Sequence, residues 1–436
     1  MAHVTHMTHV THTAHPVHAT EEPTLEPTLG VQHLGTATWM NLPDALAAAA
    51  AAADRLVSRR AELMAVLTRH ESAETAADEL EGAVDALRNL HREVPDLRAA
   101  RAGRVAVFLP VNLPLYSMVL FAAIPSLAAE AVTVRGPAAT EQWHKDVLAA
   151  SGLGEYFERL ELVHRTRRAF IEDHVRHADT VIFTGRYENA EQVRRECPSA
   201  LFVFEGSAPN PIVVGPRAGL DASFDRIVAA RLFNGGQDCA GPDAYLVHSS
   251  RTDAFVARLR ATLSALPCGS YDDPQVRVGP ILNPRPLRDL AQRLEAVADD
   301  VVHGGGVDIP AATVQPTVIV RPLARHDRLV EFFAPVFYIL SYDHPAELDA
   351  FFARDEYTAN AMYVSVFGED VPRSLYATST VLIGQTVLDV ERGNDPYGGY
   401  GPQANYVSRG DDILEVAPIL ISATLARHTL PPEVTV

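Results

Sequence analysis

The feature that most constrains this chain is the alternation of short apolar runs with amphipathic stretches. The run from Arg104 to Pro110 has the continuous apolar character of a buried parallel strand. Helical spacing of apolar residues follows from Leu115 to Ala128, and a second apolar run from Ala131 to Val134 completes a β-α-β unit. The same succession leads to a further apolar run from Asp179 to Phe183. This alternation predicts a doubly wound α/β sheet.

The second half of the chain repeats this style, which predicts a second α/β domain. Its predicted strands are Ile212 to Val214, Tyr245 to His248, Thr317 to Val320 and Phe337 to Leu340. Near the end of the chain, the apolar segment from Ala417 to Ser422 predicts one more strand. We expect this last strand to pair with a neighbouring domain or subunit.

Composition and charge exclude several classes of protein. At 436 residues the chain has room for two or more domains, and 47% hydrophobic with 21% charged residues is typical of a globular protein. The net charge of −18 repels phosphate backbones and anionic lipids, so neither nucleic acid nor a membrane is an expected partner. Three cysteines are too few for a disulfide framework, and the sequence shows neither a signal peptide nor an apolar span of about 18 residues. These features favour the cytoplasm.

Residues 1–18 carry a histidine at every third position. Imidazoles are good ligands for zinc, nickel or copper, so one interpretation is a metal-binding tract. A period of three suits neither a helix face nor a strand face, which favours a disordered tail. We therefore expect a disordered tail and linker over residues 1–35, and we assign no metal site elsewhere.

One cysteine lies behind a glycine-rich turn, in the segment Phe233-Asn-Gly-Gly-Gln-Asp-Cys239. A substrate can reach a thiol in such a loop, and nearby backbone N–H groups can lower the thiol pKa and later hold an oxyanion. Many cysteines in loops are nevertheless inert. The turn alone leaves both interpretations open.

Over about residues 44 to 422 the chain resembles the aldehyde dehydrogenase superfamily, whose nucleophile sits in a Phe-x-Asn/Gly-x-Gly-Gln-x-Cys loop like that of Phe233 to Cys239. Five further segments resemble family motifs in the family's order: Pro110 to Pro114, Phe183 to Gly185, Phe204 to Val214, Glu331 to Val336 and Pro396 to Tyr400. The interval from Glu205 to Cys239 is also the family's. Because the stretch from His91 to Gly103 is shorter than in the family, the chain is identified as a divergent, shortened member.

The resemblance implies two doubly wound α/β domains and a C-terminal strand used in oligomerisation. Residues 36–205 would form the dinucleotide-binding domain, residues 206–395 the catalytic domain, and residues 396–436 the C-terminal turn and strand. A homodimer or a tetramer is the implied assembly.

The resemblance also implies NAD(P)-dependent oxidation of an aldehyde to a carboxylate. Cys239 would attack the aldehyde to form a thiohemiacetal, and hydride loss would leave a thioester. Asn112 and the backbone N–H of Cys239 would hold the oxyanion, and Glu205 would activate the water that cleaves the thioester. Without the resemblance, Glu205 reads as a salt-bridged acid and Asn112 as a turn residue.

The implied cofactor-binding residues are Thr184, Gly185, Glu331, Phe333 and Arg135. Arg135 stands where the family usually has a lysine that reaches the adenosine ribose, and Ala138 stands where NAD-preferring members often carry a glutamate. A cation without that carboxylate tolerates a 2′-phosphate, so we expect NADP to be accepted at least as well as NAD. Taken alone, Arg135 would be an ordinary solvated charge.

Two other functions remain open at this level. One is NADPH-dependent reduction of an acyl thioester, bound to CoA or a carrier protein, to an aldehyde. The other is a non-catalytic role, motivated by Ser207, Ala208 and Pro209 in place of the family's two glycines and lysine. The retained Glu205 favours aldehyde oxidation, and the charges between Glu391 and Asp395 favour a polar or ionic aldehyde.

Overall fold

The structure is a computed structural model that describes residues 42–326 and 328–429. The predicted tail and linker over residues 1–35, with its histidine tract, lies outside the described residues. The α-helices are α1 Leu42–Ser58, α2 Arg60–Leu67, α3 Ala73–Arg88, α4 Val94–Ala99, α5 Pro114–Met118, α6 Ile124–Ser126, α7 Glu141–Ser151, α8 Leu153–Tyr156, α9 Arg167–Asp173, α10 Tyr187–Arg194, α11 Leu220–Leu232, α12 Ser249–Ser264, α13 Leu287–Ala296, α14 Pro345–Phe352, α15 Asp355–Ala359, α16 Val387–Val390 and α17 Ile421–Thr429.

The strands are β1 Gly103–Phe108, β2 Ala129–Arg135, β3 Leu160–Leu162, β4 Thr180–Thr184, β5 Leu201–Glu205, β6 Ile212–Val214, β7 Tyr245–His248, β8 Val301–His303, β9 Val307–Asp308, β10 Thr313–Val314, β11 Thr317–Pro322, β12 Val336–Tyr342, β13 Tyr363–Phe367, β14 Thr380–Ile383, β15 Asn405–Arg409 and β16 Asp412–Glu415.

The first sheet has the strand order β16-β15-β5-β4-β1-β2-β3. Its strands from β5 to β3 are parallel, and β15 adds to the β5 edge in antiparallel fashion, with Asn405 opposite Glu205. Because β4 and β2 lie on opposite sides of β1, the connections leave a crevice at the carboxyl ends of β1 and β4. A crevice at this position is where open α/β sheets bind their ligands.

The second sheet has the order β14-β13-β6-β7-β12-β11-β8, and all its pairs are parallel except β11 with β8. Its central strands are buried on both faces, which explains their unbroken apolar sequences. The predicted fold, two parallel-rich α/β sheets covered by helices, is therefore confirmed.

Two predicted helices are interrupted. The helical pattern from Asp44 to Arg69 is divided between α1 and α2 at Arg59, where φ is −99° and ψ is 15°. The pattern from Leu115 to Ala128 contains a π-helical turn over Val119–Ala123, just before Pro125. Proline has no N–H to donate to the preceding turn, so a wider turn at this place has a local cause.

The strand predicted from Ala417 to Ser422 is wrong. Ile419 forms a single antiparallel bridge with Tyr397, and helix α17 begins at Ile421. Ile421 and Leu425 lie one helical turn apart and are both buried in the core that packs against the first sheet. A short apolar run does not distinguish a strand from a buried helix, which is why the sequence misled here.

Across residues 42–326 and 328–429, none of the helices combines the length and apolarity needed to cross a membrane.

Candidate active site

A cavity of about 460 Å³ lies at the carboxyl ends of the first sheet's strands. Seven of the predicted site residues line it: Asn112, Thr184, Gly185, Glu205, Cys239, Glu331 and Phe333. Asn112 follows β1, Thr184 ends β4 and Glu205 ends β5, so three adjacent strands deliver them. Cys239 and Glu331 arrive on loops that precede β7 and β12 of the second sheet. Residues far apart in the sequence thus converge on one cavity.

The turn before the candidate nucleophile is held in left-handed backbone conformations. Asn234, Gly235 and Gly236 have φ values of 49°, 62° and 82°. A Cβ atom at Gly236 would come within 2.5 Å of the carbonyl carbon of Ala334, so only glycine fits there. This close approach brings the Cys239 turn against the loop that carries Glu331.

A buried ion pair also holds the turn that precedes Cys239. Arg231 and Asp243 have side chains 1% and 2% exposed, with 2.7 Å between Arg231 Nη1 and Asp243 Oδ1. Arg231 Nη2 also donates to the carbonyl oxygen of Gly236, and Asp243 Oδ1 accepts the N–H of Phe332 at 2.9 Å. The pair therefore joins the Cys239 turn to the 331–333 loop. The sequence analysis did not single out either residue, and no spacing rule would have found them.

The thiol of Cys239 has two polar neighbours. Its Sγ lies 3.1 Å from the hydroxyl oxygen of Tyr397 and 3.8 Å from Oδ1 of Asp238. Burial raises the thiol pKa well above its ordinary value, and the charge of Asp238 adds to this effect. In the sequence, Tyr397 is only one residue of the segment from Pro396 to Tyr400, because the target of its hydroxyl depends on the tertiary fold.

Asn112 lies against the Cys239 turn. Its Nδ2 donates to the carbonyl oxygen of Gln237 at 2.9 Å, and Asn234 Nδ2 donates to the same oxygen at 3.1 Å. Leu113, the next residue, has a left-handed φ of 49°, and Pro114 begins α5. The amide is thereby held at the cavity wall, against a carbonyl group that lies two positions before Cys239 in the chain.

Glu205 is the last residue of β5 and is 4% exposed. Its Oε2 atom has no hydrogen-bond partner among the described residues. Burial raises the carboxyl pKa well above its ordinary value. A carboxylate of this kind is a stronger base than a solvated one, as a residue that activates water requires.

The predicted cofactor-binding residues Thr184, Gly185, Glu331 and Phe333 differ in their contacts and backbone conformations. Thr184 Oγ1 donates to the carbonyl oxygen of Phe108 at 2.8 Å, so its hydroxyl holds β4 to β1. Gly185 has a φ of 136°, and Phe333 has a left-handed φ of 46°. Burial raises the pKa of Glu331, while a hydrogen bond with Ser207 acts in the opposite direction.

Arg135 ends β2 and does not belong to the cavity lining formed by the described residues. Its Nε donates to the carbonyl oxygen of Arg165 at 3.0 Å, and the side chain is half-buried. Its backbone carbonyl accepts the N–H of Leu109, which does line the cavity. Arg135 therefore lies at the end of the strand next to β1, outside the cavity that the other predicted site residues line.

An acidic segment that the sequence analysis connected with the substrate also reaches the cavity. Glu391, Arg392 and Asp395 line it, and Asn394 anchors the segment by donating to the carbonyl oxygen of Ala86 at 3.0 Å. Burial raises the pKa of Glu391 to about 8, and the charge of Asp238 contributes in the same direction.

Comparison with known proteins gives a consistent result. A sequence model described as the aldehyde dehydrogenase family matches residues 39–404. The succinate-semialdehyde dehydrogenase (NADP+) 1 of Mycobacterium bovis is 29% identical over 227 residues, which cover 50% of this chain and 49% of that protein. The match thus spans about half the length of this curated relative.

Two solved structures share the fold. Glyceraldehyde-3-phosphate dehydrogenase GapN from Methanocaldococcus jannaschii, complexed with NADP, superimposes with a TM-score of 0.72 at 16% identity, over 90% of this chain and 88% of that one. An aldehyde dehydrogenase of Mycobacterium tuberculosis complexed with NAD+ gives a TM-score of 0.69 at 21% identity, over 84% and 82%. At these identities the likeness establishes the fold.

Proposed function

The chain belongs to the aldehyde dehydrogenase family, and we propose that it oxidises an aldehyde to a carboxylate through a covalent bond to Cys239. The observation that carries this proposal is that Cys239, Glu205 and Asn112 face one cavity, together with Thr184 and Gly185. Nucleophile, base and oxyanion donor are the three groups that the reaction needs from the protein.

Each group has a defined step in the proposed reaction. The Cys239 thiolate forms a bond to the aldehyde carbon, and the carbonyl oxygen takes up the negative charge, to which the amide of Asn112 donates. Loss of hydride from that carbon leaves a thioester. Glu205 accepts a proton from water as the water attacks, the carbon–sulfur bond breaks, and a carboxylate and the thiolate are released.

The proposed hydride acceptor is NADP or NAD, which oxidises the thiohemiacetal carbon when bound. The residues present fit such a cofactor. Gly185 has no side chain to cover its backbone at the cavity wall, and Arg186 adds a cation beside it. Glu331 and Phe333 would hold the nicotinamide end. Support for NADP comes from the relative named for it and from the GapN complex, and the mycobacterial complex supports NAD.

The proposed substrate is a small aldehyde with a polar or ionic group. Support comes from the position of Glu391, Arg392 and Asp395 in the cavity lining. A cytoplasmic location, the domain boundaries and a homodimeric or tetrameric assembly stay predictions from the sequence.

The test is the rate of nicotinamide reduction, followed by absorbance, with a panel of aldehydes and with NADP or NAD. We expect aldehyde-dependent reduction that Cys239→Ala abolishes, because the covalent step is lost. Cys268→Ala, the same substitution at an exposed cysteine, is the matched control and should leave the rate unchanged. Undiminished oxidation by Cys239→Ala would refute the covalent route, and oxidation of NADPH dependent on acyl thioesters would assign the protein as a reductase instead.

A further inference from the structure

Building on the proposed function, we propose that the phenol of Tyr397 is an additional catalytic group that donates a hydrogen bond to the Cys239 thiolate and so stabilises the ionised form of the nucleophile. The 3.1 Å separation between the hydroxyl oxygen and Sγ is a direct contact with the reacting atom. In the thiol form either atom can be the donor. In the thiolate form only the phenol carries a proton, so the direction of the bond is then fixed.

The other polar neighbour of the sulfur, Asp238, does not donate a hydrogen bond to it. Asp238 Oδ1, at 3.8 Å, accepts hydrogen bonds and carries negative charge when ionised. Within residues 42–326 and 328–429, Tyr397 supplies the side-chain donor that contacts Sγ. Charge-assisted hydrogen bonds of this kind are stronger than neutral ones.

The charges around the sulfur make such a donor necessary. Asp238, Glu391 and Glu331 all raise the thiol pKa in addition to the effect of burial, and the hydrogen bond with Tyr397 acts in the opposite direction. The neighbouring Tyr363 belongs to the same cluster, because the charges of Glu391, Glu205 and Cys239 all raise the pKa of its phenol. A thiolate surrounded by acidic groups is stabilised by a hydrogen-bond donor. Among the described side chains, the phenol of Tyr397 is the donor that contacts the sulfur.

Tyr397 also stays protonated over the working range. Burial raises its own pKa well above the ordinary value, and the neighbouring charges of Cys239 and Glu391 add to this shift. The phenol therefore remains a hydrogen-bond donor when the thiol ionises. No proton passes from Tyr397 to sulfur: the S–H bond breaks, and its proton leaves to solvent.

The backbone around Tyr397 is fixed from several sides. Its N–H donates to the carbonyl oxygen of Ile419 at 2.9 Å, and the N–H of Ile419 returns a bond at 2.7 Å. The N–H of Gly398 donates to the hydroxyl of Tyr363 at 2.9 Å, and the ring of Tyr363 packs against that of Tyr397 at 5.6 Å between centroids. A donor held this firmly costs little reorganisation during the reaction.

The proposal makes an unusual kinetic prediction. Without the phenol, the thiol should ionise at higher pH, so fewer molecules carry a thiolate near neutral pH. The thiolate that does form should be at least as nucleophilic, since nucleophilicity rises with thiol pKa. A residue with only a structural role would instead lower reactivity at every pH.

The experiment is the pH profile of Cys239 alkylation by iodoacetamide in the full chain, quantified on the Cys239 peptide by mass spectrometry. For Tyr397→Phe we expect the midpoint to rise by about one pH unit, which slows alkylation near neutral pH about three- to tenfold, with a plateau at high pH that is equal or up to about threefold higher. Tyr400→Phe is the matched control, because the exposed Tyr400 lies on the same turn without contacting the sulfur, and its profile should superimpose on the parent's.

The outcomes separate the two proposals. A profile of Tyr397→Phe identical to the parent's, or lower at all pH values including the plateau, would overturn the role of the phenol. If the parent oxidises aldehydes and the profile does not shift, only this inference fails. If the parent oxidises no aldehyde, the proposed function and with it the catalytic meaning of the contact fail, while a shifted profile would still establish the hydrogen bond.

Discussion

Asp238 and Asp243 lie five positions apart in the chain, and both are buried, yet their surroundings are opposite. Asp243 is paired with the equally buried Arg231 and accepts the N–H of Phe332. Asp238 is 6% exposed, and its Oδ2 atom has no hydrogen-bond partner among the described residues. Asp238 also lines the cavity beside Cys239.

The difference separates the charges that hold the site from those that act in it. In the Arg231–Asp243 pair both Nη atoms of Arg231 donate to groups of the fold, and the pair joins two loops that must stay together. Burial raises the pKa values of the cavity acids Asp238, Glu205 and Glu391, as it raises that of Asp243 to about 7. Among the described residues, however, none of these three acids forms an ion pair like that of Asp243. Uncompensated buried acids cost stability, and such groups are concentrated where proteins do chemistry.

The largest expected effect comes from removing a cavity acid. Glu205→Gln should lower turnover by about 10²- to 10⁴-fold, because the water that cleaves the thioester loses its base. The acyl-enzyme should then accumulate as added mass in the intact protein. Stability should not fall, since a neutral amide is easier to bury than a carboxylate.

Glu188→Gln, at an exposed acid on α10, is the control for Glu205→Gln and should change neither turnover nor mass. Unaltered turnover of Glu205→Gln would show that another group activates the water.

The second effect comes from breaking the ion pair. Arg231→Met should lower the free energy of unfolding by about 3–5 kcal/mol, because Asp243 would be left buried without its cation. Urea denaturation measures this loss. The double variant Arg231→Met with Asp243→Asn should recover part of the stability, because the uncompensated charge is gone. An equal loss in both variants would mean that the pair contributes through packing alone.

The smallest effect is a dependence of stability on pH. The pKa of Glu391 is about 8 in the folded chain and lies near 4.5 when the group is unperturbed. Between these values the folded state binds more protons than the unfolded state, so stability falls as pH rises through this range.

Replacing Glu391 with glutamine should remove that share of the pH dependence. We expect the parent to lose about 3 kcal/mol more than Glu391→Gln between pH 5.5 and pH 8, measured by urea denaturation at both values. Equal losses in the two proteins would place the protonated acid elsewhere.

The sequence predicted the fold well where periodicity decides it. Strands β6 and β7 have the predicted bounds, because buried parallel strands are short continuous apolar runs. It failed at Ile421, where an apolar run of a few residues suits a helix as well as a strand.

The candidate site was only partly predictable. Motifs located Cys239, Glu205 and Asn112, and the structure brings them to one cavity. The contact of Tyr397 with the sulfur was not predictable. It forms because the tertiary fold places a turn near the end of the chain beside the cavity. The bond of Arg135 to a neighbouring carbonyl likewise depends on tertiary packing.

The pairing of β15 with the edge of β5 also has a consequence for folding during synthesis, because β15 is made long after β5. Glu205 leaves the ribosome long before Asn405, its partner across the antiparallel pair. Until then β5 has an unpaired edge, and such edges invite association with other chains. Pairing between segments so distant in sequence forms slowly. The growing chain therefore carries an open sheet edge from the time β5 is made until Asn405 is added, and a chaperone that shields β5 would cover that edge.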